Sequence, residues 1–125
     1  MKSILVTGSK GYIGSALMNH LRAEETYAIH DIDIMGTNPI EYQSLNTSLI
    51  RGYDVIIHLA GHSSVQSCED DPIGSLRNNC LDFFHLVNKI GDHQQFLYAS
   101  SASVYGKAKF CSETDRLSPP IKEYD

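Results

Sequence analysis

The sequence has no run of Lys and Arg. With 10 basic against 15 acidic residues its net charge is −5. Nucleic-acid and anionic-membrane surfaces need clustered cations, so neither is an expected partner. Long apolar runs are absent too. The longest are Ile4 to Val6 and Val55 to Ile57 continued through Leu59 and Ala60. Neither approaches the roughly 20 residues that span a bilayer. The start, Met1 to Gly8, has no apolar h-region and no cleavage site, so a signal peptide is not expected. Three cysteines, Cys68, Cys80 and Cys111, form no C-x-x-C pair. Reduced thiols in a cytoplasmic protein are the reading. The six histidines show no ligand spacing, so no metal site is expected. Repeats and low-complexity segments are lacking as well.

What is present is an alternation of short β-type runs and helical-period segments. The 125 residues are enough for one domain, and 42% apolar with 20% charged residues suits a globular chain. Ser3 to Thr7 reads as a strand closed by Gly8. Ile13, Ala16, Leu17 and Leu21 fall at helical spacing. Tyr27 to Ile32 reads as a second strand. Gly36, Asn38 and Pro39 mark a loop, Ile40 to Leu45 a short third strand, and Ser48 to Arg51 a stub of helix. Asp54 to Ala60 is a buried strand ended by Gly61. After Pro72 a helix is expected in which Leu76, Cys80, Phe83, Phe84, Val87 and Ile90 form one apolar stripe, ended by Gly91. Gln95 to Ser100 is a further strand. The alternation predicts an α/β, Rossmann-type parallel sheet with helices on both faces, joined by right-handed crossovers. Ligands bind such sheets at the carboxyl ends of the strands. Function is therefore expected after Thr7, Ile32, Leu59 and Ala99.

Gly8-x-x-Gly11-x-x-Gly14 follows a strand and opens a helix, the setting of a dinucleotide-binding turn. Gly8 permits the tight turn, Gly11 lets the backbone approach a pyrophosphate, and Gly14 allows close helix–strand packing. Lys10, Tyr12 and Ile13 belong to the same turn. Amides at the helix start, carrying partial positive charge, face the anion. No Gly-Lys-Ser or Gly-Lys-Thr follows, which excludes a Walker-type loop. A carboxylate about 20 residues on accepts from the adenosine ribose. Asp31, 17 residues past Gly14, is preferred, with Asp33 read as a turn cap. A carboxylate there repels a 2′-phosphate and favours NAD over NADP. Lys10 points the other way, unless it is a solvated loop charge.

Three linked motifs span nearly the whole chain. They are Thr7-Gly8-x-x-Gly11-Tyr12-Ile13-Gly14, Asp54-x-Ile56-Ile57-His58-Leu59-Ala60-Gly61, and Ser100-Ser101-x-x-Val104-Tyr105-Gly106. In this order they resemble the extended short-chain dehydrogenases/reductases, and more narrowly the NAD-dependent epimerase/dehydratase group acting on nucleotide sugars. The resemblance implies that Leu59, Ala60, Gly61 and Ser63 lie on the nicotinamide side, with Ala99 at the next strand end. Asn78, of the pair Asn78-Asn79, would lie in the helix behind the cofactor. It implies Ser101 as the catalytic hydroxyl and Tyr124 as the Tyr of a Tyr-x-x-x-Lys motif, a general acid or base. Glu113-Thr114-Asp115 and Pro119-Pro120 resemble the lead-in to that helix. The Lys would fall three residues past Asp125. His58 is expected to be a core histidine, and His62 has no assigned task. Ser44-Leu45 stands where the family has an Asp-hydrophobic pair at the adenine edge, so weaker adenine binding is expected.

The expectation is an incomplete NAD-binding domain over 1–125 without a substrate lobe, binding cofactor with little turnover. The complete protein would oxidise a sugar hydroxyl by hydride transfer to NAD. The alternatives are an NADP-dependent reductase of the same fold and a non-catalytic NAD-binding module. An uncovered last strand leaves a free edge, which predicts a homo-oligomer.

Overall fold

In the computed structural model, which describes residues 1–106 and 112–114, four strands form one parallel sheet. They are β1 (Lys2–Thr7), β2 (Tyr27–Ile32), β3 (Val55–His58) and β4 (Gln95–Tyr98), in the order β2-β1-β3-β4. Thr7 pairs with Ile32 on one side and His58 on the other, so three strand ends are level. α1 (Tyr12–Ala23) joins β1 to β2. A one-turn 3₁₀ segment (Tyr42–Ser44) and α2 (Thr47–Arg51) precede β3. α3 (Val65–Asp70), then α4 (Pro72–Leu76) running through a widened turn (Arg77–Asp82) into α5 (Phe83–Lys89), lead to β4. No described helix is long and apolar enough to cross a membrane. Cys68 and Cys80 are free thiols, and Cys111 lies outside the described residues.

Alternation along the strands divides the core in two. Ile4, Val6 and Val55 meet Met18 and Leu21 of α1. Leu5 and Ile56 meet Ile50 of α2, Leu86 of α5, and Tyr42 and Leu45. Helices thus cover both sheet faces, as expected. β4 is less covered, with Leu97 and Tyr98 exposed.

Two expected elements differ. Ile40 to Leu45 is not a strand. Tyr42 and Leu45 both enter one core cluster, and a spacing of three demands a turn where a strand would send them to opposite faces. The helical stripe is not one face either. Leu86 is 1% exposed, whereas Phe84 is 64% exposed and Leu76 and Val87 also face outward. Apolar residues lie on both sides of this helix, and i→i+5 winding over Arg77–Asp82 shifts the inward set to Ser75, the two asparagines, Phe83 and Leu86. Periodicity alone does not choose between two apolar sides.

Beneath the level strand ends lies a buried polar pair. Thr7 Oγ1 is 2.7 Å from His58 Nδ1 and also accepts from Ala60 N at 3.3 Å. Oγ1 takes the amide hydrogen on one lone pair and meets the ring nitrogen through its own hydrogen or its second lone pair, according to the imidazole tautomer. His58 is the core histidine the sequence suggested, packed by Tyr42, Phe83 and Phe96. Burial lowers its pKa from 6.5 to about 4. The unfolded chain therefore takes up this proton first as pH falls. The contribution is complete above about pH 6.5 and is lost progressively toward pH 4. Urea titrations at pH 7, 6 and 5 are expected to show this loss, of order 2–4 kcal/mol in full. His58→Gln should have a flatter profile; an equally steep one would assign the slope to other groups.

Candidate cofactor site

The chain leaves β1 toward β2 on one side, then returns past β1 to place β3 on the other. This reversal opens a crevice between the carboxyl ends of β1 and β3. The glycine turn after β1 and the Leu59–Ser63 segment after β3 border it.

The three glycines do different work. Gly8 has φ +73°, and a Cβ there would lie 2.6 Å from Ala60 N. A Cβ on Gly14 would overlap the Gly8 carbonyl. The chain's own packing requires both. Gly11 has an ordinary extended conformation, and among the described residues a Cβ there would meet only Gly8 O at 3.4 Å. Its bareness leaves room for something other than this chain. Gly11 is also the N-cap of α1, and no side chain caps that helix. The first amides of α1 are thus open to an anion. Beside them Tyr12 is 96% exposed, and Ile13 is exposed as well.

The acidic residue at this turn is Asp33, where the sequence reading preferred Asp31. Asp31 lies within β2, and its carboxylate is 3.1 Å from Arg22 of α1. Asp33 is the first residue past β2. Its Oδ2 accepts from Lys10 N and its Oδ1 from Met35 N, each at 2.8 Å. It is the turn cap considered from sequence, and it also holds a carboxylate against the glycine turn. Counting residues does not separate the two acids; the end of β2 does. The Lys10 side chain lies over Gly36, on the loop that Asp33 begins.

On the β3 side, Ala60 N is tied to Thr7 and Gly61 has φ +154°. Both asparagines approach Gly61: a Cβ there would be 2.9 Å from Asn79 Oδ1 and 3.8 Å from Asn78 Oδ1. Asn79 clamps the next residue in both directions. Its Oδ1 accepts from His62 N at 2.9 Å and its Nδ2 donates to His62 O at 3.1 Å. Asn78, the preferred residue of the pair, has a buried Oδ1 with no hydrogen-bond partner among the described residues, and its main-chain carbonyl accepts from the Tyr42 hydroxyl. Burial raises the Tyr42 pKa well above the ordinary tyrosine range, with Asp82 and Cys80 adding to the shift, so the phenol remains a donor. Sequence reasoning missed Tyr42 and the role of Thr7, and of the pair Asn78-Asn79 it took Asn78. The polar residues among apolar neighbours were the available signal, since buried polar groups must find partners.

Ser63 is exposed, in the loop before α3, and Ala99 is exposed just past β4. Ser101 caps the 3₁₀ turn Ala102–Tyr105, where its Oγ accepts from Ser103 N at 3.2 Å and lies 2.6 Å from Ser103 Oγ. Tyr124 lies outside the described residues.

Comparison with known proteins agrees with this architecture. The chain is 33% identical over 112 residues to the GDP-6-deoxy-D-mannose reductase of Pseudomonas aeruginosa, covering 83% of this chain and 35% of that protein. It is 27% identical over 121 residues to the UDP-glucose 4-epimerase of Halalkalibacterium halodurans, covering 84% and 36%. A solved structure of MoeE5 in complex with UDP-glucose and NAD superposes with a TM-score of 0.81 at 28% identity, covering 98% of this chain and 44% of that one. The chain thus spans less than half the length of these relatives. Residues 4–125 match the model of one family. With fold, glycine turn and sequence match in agreement, the chain belongs to the NAD dependent epimerase/dehydratase family.

Proposed function

We propose that this chain is the NAD-binding domain of a nucleotide-sugar epimerase or dehydratase. The observation that carries the reading is Gly11: a bare, open position before an uncapped helix start. The first amides of α1 hold the diphosphate there. The Asp33 carboxylate, on the same turn, accepts from the adenosine ribose and repels a 2′-phosphate. Leu59, Ala60 and Gly61 allow close approach of the nicotinamide half, with Asn78 and Ser63 at its border. When bound, NAD supplies a hydride acceptor. Ser101 hydrogen-bonds the sugar oxygen, exchanging its local Ser103 partner for it. Tyr124 takes or returns the proton of that oxygen. The relatives, a reductase and an epimerase among them, support a shared oxidation–reduction core.

Gly11→Ala separates binding from folding. Among the described residues nothing clashes with the added methyl, so its unfolding midpoint should stay close to wild type. Calorimetric affinity for NAD should fall at least tenfold. Unchanged affinity would remove the diphosphate from this turn. A preference for NADP in the same titration would instead assign Lys10 to a 2′-phosphate.

In the whole protein, Tyr124→Phe should reduce kcat by a factor on the order of 10² or more, as loss of a general acid–base does. Wild-type turnover by that variant would exclude Tyr124 from the mechanism, and absence of turnover in the whole wild-type protein would favour a non-catalytic NAD-binding module.

We also propose self-association. The outward Leu76, Phe84 and Val87 and the exposed Leu97 and Tyr98 of β4 support it. Light scattering should show more than one copy per particle, and Phe84→Glu should shift the population toward monomer. A monodisperse wild-type monomer at high concentration would overturn this.

A further inference from the structure

We propose that Tyr42 is a positioning residue that holds the β3 side of the crevice in its binding shape. The NAD part of this inference rests on the function proposed above.

Tyr42 sits in the connection between β2 and α2 and is 3% exposed. It touches two segments that border the crevice. Its hydroxyl donates to the main-chain carbonyl of Asn78, within the i→i+5 winding. Such winding is rare and mostly confined to single turns within α-helices, and here a buried side-chain hydroxyl donates into it. The winding carries Asn79, whose side chain grips both main-chain polar groups of His62. The ring of Tyr42 meets the His58 ring edge-on, with centroids 4.5 Å apart at 71°. His58 bonds Thr7, which bonds Ala60 N. One side chain thus braces residues 58–62 from the helix side and from the strand side. It makes no contact with the glycine turn among those observed.

The adenosine-diphosphate half and the nicotinamide half should therefore respond differently to its loss. Tyr42→Phe retains the ring and removes the donor. NAD should bind about tenfold more weakly to this variant, and ADP, which reaches the glycine turn and the adenine edge but not residues 58–62, within twofold of wild type, because the retained ring keeps its core packing with Leu45. Hydrogen exchange on the unliganded protein reads the same brace without a ligand. The His62 amide, held by Asn79, should exchange about tenfold faster, while the Leu5 and Val6 amides in β1 keep their protection. Asn79→Ser leaves Tyr42 in place and opens the clamp, and should reproduce the split between NAD and ADP. The double variant should lose little beyond either single one, because the two act on one segment.

Unchanged exchange at His62 in Tyr42→Phe would overturn the proposal whatever NAD does. Equal weakening of NAD and ADP would also overturn it, by showing general loosening. So would full additivity in the double variant. Failure of the wild-type chain to bind NAD would sink the proposed function instead, and His62 exchange would then decide the role of Tyr42.

Discussion

The contact between Gly14 of α1 and the Gly8 carbonyl sets the geometry of the crevice. A side chain at position 14 would occupy the same space as that carbonyl, so the helix can lie this close only where the Cβ is missing. Gly8 in turn abuts Leu59 and Ala60, which ties the turn to the end of β3. These approaches bring an uncapped helix start over the carboxyl ends of two parallel strands. The helix contributes about half a positive charge there, concentrated on amides that no side chain of the helix cap satisfies. A diphosphate is the complementary partner in charge and in hydrogen bonding.

The other wall depends on polar groups that the chain satisfies within itself. A buried donor or acceptor left unpaired costs on the order of 1–3 kcal/mol. Thr7 avoids that for the Ala60 amide and the His58 ring with one hydroxyl. Asn79 does the same for both main-chain groups of His62. The Tyr42 hydroxyl finds Asn78 O. The wall is therefore rigid where the chain binds itself. Among the described residues it keeps a buried acceptor, Asn78 Oδ1, without a partner beside Gly61.

Much of this was readable in order along the chain. The four strands, α1, the α2 stub and the glycine turn were legible because they are short-range patterns: β-branched runs, helical spacing, and glycines at strand ends. The motifs around His58 and Ser101 were legible through family resemblance. Less was readable where two similar residues lie close together. Asp31 and Asp33 differ by two positions, and only the end of β2 and the Arg22 pair distinguish them. Asn78 and Asn79 are adjacent, and the widened turn determines which one grips His62.

By itself the sequence determined the α/β alternation, the parallel sheet, the position of the diphosphate turn and the membership of the family, since each rests on residues near one another in the chain. Tertiary structure alone decided which carboxylate faces that turn, which side of α4–α5 meets the sheet, and that Ile40 to Leu45 turns inward in place of forming a strand. It also brought Tyr42, His58, Thr7 and Asn78 together. Their contacts join residues 16 to 51 positions apart, and no local pattern encodes a pairing across that distance.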